Sequence, residues 1–484
     1  MNLDPDMCYR TLLSRDRRFD GWFYVAVSST GIYCRVVCPV RPPKRENCSY
    51  FSTTAAAEKA GYRPCLRCRP ELAPGNGLLD VSSRLAHAAA TLITEGFLND
   101  ASLTDLANRV GVTERHLRRI FATAYGVSMI EFAQTQRLLL AKRLLTDTTL
   151  PLAAVALTAG FGSVRRFNDL FVTRYGLSPL RLRKASGEAS GASATDHLSF
   201  MLGYRPPFSW SGVLAFLSRR AISSVEAIDD EVYSCAVELT CGERKLAAWL
   251  SVKHVPQRHA IEVTVPMVLA PVIGQVLGRV SRLFDLNARP DLIDAQLGEL
   301  AADMPGMRVP GACDGFEIAV RAIVGRQISA SKTRSILACI AARFGTKIID
   351  APNAITTTFP SADVLAALPA SSLSDLGITA IRTEAIVELA KEVASGRLLL
   401  EPMAPLDGTL AALRRIRGVG ESTVQTIAMR ALAWPNAFPE GDAVLKRQLV
   451  QPSPSALRQH ATRWEPWRAY ATLHIWRHSE EHCS

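Results

Sequence analysis

Four cysteines in two close pairs, Cys34 with Cys38 and Cys65 with Cys68, carry the most specific chemistry in this 484-residue chain. The spacing C-x3-C, followed some way on by C-x2-C, suits one tetrahedral metal site in which each pair supplies half of the ligands, with thiolates about 2.3 Å from a zinc ion. The competing reading is four buried structural thiols. It fits less well, because Arg35, Arg67 and Arg69 adjoin Cys34 and Cys68, and basic neighbours stabilise thiolate. The stretch Met1 to Arg18 is polar and charged and has no signal-peptide pattern, so a cytoplasmic location with reduced thiols is expected, and Zn2+ as the cofactor. Zinc keeps thiolates deprotonated at neutral pH. Four of them around one divalent ion leave an excess of negative charge, so at least one sulfur is electron-rich enough to attack an alkyl group.

The segments TGIYCRVVC, RENCSYF and RPCLRC resemble the N-terminal domain of the Ada family of adaptive-response proteins, over roughly residues 7–75. The resemblance implies that Cys34, first of the quartet, takes a methyl group irreversibly from a methylphosphotriester in DNA. Cys38, Cys65 and Cys68 are then plain ligands. It also implies DNA contacts at Thr30, Arg41 and Arg63, each of which reads equally well as an ordinary surface residue.

A net charge of +11 is unevenly placed: the first 200 residues hold 26 Lys and Arg against 17 Asp and Glu, or +9, and the remainder carries +2. A basic N-terminal part points to a polyanionic partner. Hydrophobic residues make up 48% of the chain, enough for several cores. The long apolar run Val263 to Val280 is broken by Pro266, Pro271 and Gln275, so no membrane span and a soluble chain are expected. The other cysteines, Cys8, Cys48, Cys235, Cys241, Cys313, Cys339 and Cys483, lack a partner at ligand spacing and read as small core or surface residues.

Two helix-turn-helix patterns follow a joint at Pro70 to Gly77. In SLTDLANRVGVTERHLRRIFATAYG, Ser102 is an N-cap, Gly111 marks the turn, and Thr113 caps a second helix bearing Arg115, His116, Arg118 and Arg119. In PLAAVALTAGFGSVRRFNDLFVTRYGLSP, Gly160 and Gly162 form the turn, Ser163 caps, and Arg165, Arg166 and Asn168 lie on the second helix. Arg suits guanine and Asn suits adenine in a major groove, although a helical bundle with basic outer faces gives the same pattern. GFGSVRRFNDLFVTRYGLSPLRLR resembles the second helix-turn-helix of AraC-type regulators, and the first unit and the helix Ser128 to Leu145 are similar to the same family.

The run KASGEASGASATDH is too small and polar to bury apolar surface and reads as a flexible linker. Beyond it, YSCAVEL, KLAAWLSVKHV and AIEVTV have strand periodicity, and Pro310 to Cys483 is almost wholly helical in pattern. This half resembles the AlkA-type 3-methyladenine DNA glycosylases of the helix-hairpin-helix superfamily, through VSRLFDL, FEIAVRAIVGRQIS and RWEPWRAYATLHIW.

Within LRRIRGVGESTVQTIAMRAL, Gly418 and Gly420 make a hairpin that lets a phosphate approach helix-start amides; alone, such a hairpin is common in plain turns. With Asp442 about twenty residues on, it resembles the superfamily signature. Breaking a base–deoxyribose bond passes through a cation-like sugar, which a carboxylate at Asp442 stabilises. On the fragment GDAVLKRQL alone, Asp442 reads as a helix N-cap, and both roles can coexist. The resemblance implies that Gln327 in GRQIS fills the gap left by a flipped base, with Arg326 and Ile328 beside it. Bifunctional relatives carry a lysine two residues after the second hairpin glycine; here that residue is Ser422, so base release without amine-driven strand cleavage is expected. Where AlkA-type enzymes place pocket aromatics on this helix, the chain has Ser422 and Thr426, while Trp464 and Trp467 remain as pocket or core rings.

Taken together, the expected architecture is multidomain. A small α/β zinc module spans residues 1–77, an all-α double helix-turn-helix domain 78–184, a linker 185–197, an α+β domain 198–309, and an all-α helix-hairpin-helix domain 310–484. The expected function is excision of alkylated bases, joined to methylphosphotriester sensing and transcriptional regulation. Alkylated duplex DNA, promoter DNA and RNA polymerase are the expected partners of a monomer. No Pro-Cys-His-Arg string occurs, so O6-alkylguanine repair is not expected. The alternatives are a regulator whose C-terminal half binds damaged DNA without catalysis, and a zinc module that is purely structural.

Overall fold

A computed structural model describes residues 3–75, 84–185, 197–369, 371–402, 404–450 and 453–481. All but the ends of the 185–197 linker lies outside the described residues, as do Asn76 and Gly77 of the joint.

The N-terminal module is a four-stranded sheet in the order β3-β1-β2-β4, with β1 Tyr24–Val27, β2 Ile32–Arg35, β3 Cys48–Phe51 and β4 Arg63–Pro64. Strand alternation gives β1 two buried faces. Phe23 and Val25 pack with Cys8 and Leu12 of the helix Pro5–Ser14, whereas Tyr24 and Ala26 pack with Tyr33 and with Ala57 of the helix Thr54–Lys59. β4 runs parallel to β2, with Tyr33 opposite Pro64, and Cys65 N donates to Tyr33 O at 3.0 Å. The pairing therefore brings Cys34 and Cys65 off neighbouring strands side by side.

The helix-turn-helix units form as their cap residues require. Ser102 and Asp105 make a reciprocal capping box on the helix Leu103–Val110, Gly111 takes the left-handed conformation at φ 84°, and Thr113 caps Glu114–Tyr125. The second unit consists of Leu152–Thr158 and Val164–Tyr175, with Gly160 at φ 84° and Ser163 accepting from Arg166 N at 3.2 Å. Between the units runs the helix Met129–Asp147, capped by Ser128 and Glu131.

Buried residues on this long helix bind the parts together. Lys142, 1% exposed, donates to both Glu71 carboxylate oxygens at 2.7 and 2.6 Å, and Arg69 bridges Glu71 at 3.0 Å and Asp147 at 2.7 Å. A buried lysine stripped of its carboxylate costs about 3–5 kcal/mol, so this network fixes the zinc module against the helix.

From Leu138 onward the apolar side chains of this helix and of the second helix-turn-helix belong to one core with the C-terminal half; the first unit keeps a separate core. Polar contacts join the two halves as well: Arg143 Nη2 donates to Met201 O at 2.6 Å, Gly75 N to Asn287 Oδ1 at 2.9 Å, and Arg109 pairs with Glu401 at 2.8 Å.

The C-terminal half opens with a five-stranded antiparallel sheet in the order β5-β9-β8-β7-β6. Its strands are β5 His197–Gly203, β6 Glu226–Asp229, β7 Val232–Cys241, β8 Arg244–Val255 and β9 Ala260–Pro266. The rest is helical, apart from a loop closed by a single antiparallel bridge between Lys347 and Thr357. Among the described residues no helix is long and apolar enough to cross a membrane.

Candidate metal centre and carboxylate site

The cysteine quartet converges as its spacing predicts. All four sulfurs lie within 4.8 Å of one another, and every cysteine is reduced and buried. A tetrahedral zinc with bonds of about 2.3 Å holds its sulfurs about 3.8 Å apart, so the donor set fits that ion.

Backbone amides of Arg35, Val40 and Cys68 point at the sulfurs of Cys68, Cys38 and Cys65 respectively, the first at 3.3 Å. The frame is rigid: Arg35 pairs with the buried Asp20 and donates to Cys68 O at 3.2 Å, and Arg15 holds Pro39 O and Val40 O at 3.3 and 3.2 Å. Thr30, Arg41 and Arg63 are all exposed, and Arg63 N donates to Gly31 O at 2.9 Å, which places Arg63 beside the turn that carries Thr30.

Tyr33, next to Cys34, donates its hydroxyl at 3.0 Å to Glu58, whose other oxygen accepts from Thr135 of the long helix at 3.2 Å. The Glu58 carbonyl accepts from Arg174 of the second helix-turn-helix at 3.3 Å. Burial pushes the Glu58 carboxyl up from 4.5 to about 7. A folded-state pKa raised above the unfolded one means that the folded chain holds the extra proton in that window. Its contribution is therefore present at low pH and lost as pH rises through about 7, by roughly 3 kcal/mol at most. Glu58→Gln should remove this slope: wild type should lose thermal stability relative to the variant between pH 5 and 8, and parallel melting curves would reject the assignment.

On the two DNA-reading candidates the basic side chains face outward. Arg115 and Arg118 are exposed, the latter paired with Glu114 one turn back; Arg165 and Arg166 are exposed beside Gln134 and Thr173; Asn168 is half-buried.

In the helical half, Gly418 adopts φ 92° in the hairpin between Leu406–Arg415 and Glu421–Arg430, and a Cβ there would meet Ile381 at 3.1 Å. Gly420 opens the second helix with no side-chain cap, and a Cβ there would meet Arg326 Nη1 at 3.4 Å. Arg326 Nη1 donates to Gly418 O at 3.3 Å, which ties the hairpin to the turn holding Gln327. Gln327 is exposed in the left-handed conformation at φ 57°, between the helices Gly315–Val324 and Ala330–Phe344.

Asp442 caps the helix Ala443–Gln448 as its sequence suggests: Oδ1 accepts from Val444 N and Leu445 N, both at 3.0 Å. A third donor, Trp476 Nε1 at 3.1 Å, was not foreseen. It sits on the helix Arg468–Glu481, 34 residues away, and only the fold reveals the contact. Trp464 is buried with its ring edge-on to His460. Ser422 lies against Gly441, where a Cβ would come within 3.2 Å of the serine Cβ, and Thr426 spends its hydroxyl on Ser422 O at 2.9 Å. Small side chains thus lie against Gly441, which precedes Asp442, and the Trp476 ring is in contact with the carboxylate.

Comparison with known proteins agrees with this geometry. Residues 7–71 match the metal binding domain of Ada, 106–185 a helix-turn-helix domain, and 199–314 the AlkA N-terminal domain. A probable bifunctional transcriptional activator/DNA repair enzyme AlkA from Mycobacterium tuberculosis is 34% identical, over 98% of this chain and 97% of its own length. The chain belongs to that family. Its cysteine quartet is the zinc site of the Ada-type metal binding domain. Another member of the wider group, DNA-3-methyladenine glycosylase 2 of Escherichia coli, is 35% identical over 57% of this chain and 96% of its own length. The 3-methyladenine DNA-glycosylase structure from Archaeoglobus fulgidus shares the fold of the C-terminal half, with a TM-score of 0.50, 18% identity, and coverage of 58% of this chain and 98% of that one.

Proposed function

We propose that the chain is an alkylation-response protein in which a monofunctional DNA glycosylase is fused to a methyl-accepting zinc module and a sequence-specific regulator. The observation that carries the glycosylase reading is Asp442. With Oδ1 fixed by three donors, the carboxylate is held in one orientation and Oδ2 is left to face a cation-like sugar. The absence of a lysine at Ser422 supports release of the base by water rather than by an amine. Gln327 takes the gap in the duplex, the amides following Gly418 and Gly420 grip a phosphate, and Ser422 and Thr426 line the pocket; Trp464 serves it from the core behind. The small residues around Asp442 favour the second reading, a damage-binding half without catalysis.

In the zinc module, Cys34 is the acceptor and Cys38, Cys65 and Cys68 are ligands. Amides aimed at the other three sulfurs withdraw electron density from them and leave Cys34 the most nucleophilic. Bound zinc supplies a deprotonated thiolate at neutral pH. The Cys34 sulfur forms a bond to the methyl carbon, the carbon–oxygen bond breaks, and its electron pair stays on the phosphodiester. Thr30, Arg41 and Arg63 hold the backbone, and Arg115, Arg118, Arg165, Arg166 and Asn168 read promoter bases. We assign RNA polymerase as the partner at promoters, a monomer as the working form and the cytoplasm as its place. The division at 1–77, 78–184, 198–309 and 310–484 is supported by matches that begin or end near three of its boundaries.

The test is incubation with duplex DNA treated with a methylating agent. Free methylated base should appear, with the strand intact until alkali is added. Strand cleavage trapped by borohydride as a protein–DNA adduct would reject the monofunctional assignment, and absence of free base would leave the damage-binding alternative.

A further inference from the structure

Three contacts close a triangle at the hairpin. Gly418 packs against the start of the helix Ala380–Ala394, where its Cβ, were there one, would meet Ile381 O at 3.2 Å. One residue further along that helix, Arg382 donates Nη2 to Arg326 O. Arg326 in turn lays its guanidinium on the hairpin: Nη1 donates to Gly418 O at 3.3 Å, and Cζ and Nη2 lie 3.5 Å from the place a Cβ of Gly420 would take. Segments 56 and 92 residues away are thus fastened to Arg326, one at its carbonyl and the other at its side chain.

Charge and backbone conformation are both unusual here. Arg414 pairs with Glu421 at 2.8 Å and Arg417 with Glu384 at 4.0 Å, but among the described residues neither Arg326 nor Arg382 has a carboxylate partner. Arg326 is exposed, and among the described residues its guanidinium spends only Nη1. Gln327, the next residue, holds φ 57°, a left-handed conformation that is costly for any residue with a Cβ and persists only where its surroundings impose it. That rotation starts from the peptide joining residues 326 and 327. Arg382 fixes the plane of this peptide through its oxygen.

We propose that Arg326 is a positioning residue for base extrusion: its guanidinium takes a DNA phosphate together with the hairpin, and its clamped carbonyl holds Gln327 in the wedge conformation. Gripping the backbone and filling the gap then occur as one event. This rests on the glycosylase reading above and deepens it by assigning what couples its two DNA contacts. A guanidinium presents a planar fork that matches phosphate oxygens, so one arm can stay on the Gly418 carbonyl while the other meets the ligand. The phosphate also supplies the counter-charge that Arg326 and Arg382 lack within the chain, and so favours the closed triangle in which Gln327 is held.

The test uses the full chain and a duplex carrying a tetrahydrofuran abasic-site analogue with 2-aminopurine beside it, so that neither readout requires a bond to break. In Arg326→Met, which keeps the aliphatic stem, the slope of log affinity against log salt should become shallower by about one. At saturating protein, the 2-aminopurine fluorescence change that reports filling of the gap should shrink to a small part of the wild-type change, although Gln327 is still present. Arg326→Lys should restore the slope but not the full fluorescence change, because an ammonium lacks the planar fork. Melting temperatures of the three proteins should agree. An unchanged slope in Arg326→Met would mean that the guanidinium meets no phosphate, and a full fluorescence change would mean that the wedge does not depend on it. A lowered melting temperature with equal loss of affinity for an undamaged duplex would mean a structural role; each of these overturns the proposal. Release of 7-methylguanine from methylated duplex is followed alongside. A wild type that fills the gap but frees no base fails the glycosylase reading and leaves the coupling standing, whereas one that frees base without any fluorescence change overturns the coupling alone.

Discussion

Asp442→Asn is expected to lower the single-turnover rate of base release by roughly a thousandfold, or about 4 kcal/mol, while leaving the fold in place. Asn and Asp are comparable N-caps, and an amide oxygen keeps the acceptor for Val444 N, Leu445 N and Trp476 Nε1. Melting temperature should therefore hardly move. What the substitution removes is the negative charge opposite the developing sugar cation, so rate and stability separate. Asp442→Ala, by contrast, removes the cap as well and should cost about 1 kcal/mol of stability in addition. Measured side by side, the three proteins distinguish a cap from a catalytic group. An Asn variant that keeps its rate within a few fold of wild type would reduce Asp442 to the helix cap that its local sequence already describes.

What was legible in the sequence divides by range of interaction. Ser102, Gly111, Thr113 and Ser163 act on backbone within a few residues, and the structure places each as its local pattern dictates. The quartet was equally legible, because two short spacings already confine each pair; what brings the pairs together is the parallel contact of Tyr33 with Pro64. The surroundings of Asp442 were read less well. Trp464 drew the expectation of a pocket ring from the family pattern, yet the ring in contact is Trp476, which a helix far along the chain delivers. Docking of the two halves also escaped notice. A Ser/Gly/Ala-rich run announces a boundary but says nothing of whether the flanking units adhere. The adhesion here depends on charged residues such as Arg143 and Arg109, which look solvent-facing in sequence and find partners across the boundary in Met201 O and Glu401.

Exposure to DNA bearing methylphosphotriesters should add one methyl group per chain, located by peptide mass on the fragment containing Cys34, and Cys34→Ser should show no gain. Losing a ligand thiolate at Cys38, Cys65 or Cys68 should do more. The module of residues 3–75 has a thin core around the quartet, with the small clusters about Phe23 and Tyr24 on either face of the sheet. Structural zinc contributes about 10–16 kcal/mol of apparent binding free energy in small sites, so a strong chelator or any of these three alanine variants should unfold the module and abolish methyl uptake. A purely structural site predicts the same unfolding but no methylation of intact protein, which is the outcome that would remove Cys34 from the chemistry. Methylation also cancels one unit of negative charge at the zinc site. Promoter affinity should therefore rise on methylation, and because the gain is electrostatic it should shrink as salt shortens the Debye length. A gain in affinity independent of salt would instead assign the signal to the contacts from Tyr33 through Glu58 to Thr135 and Arg174.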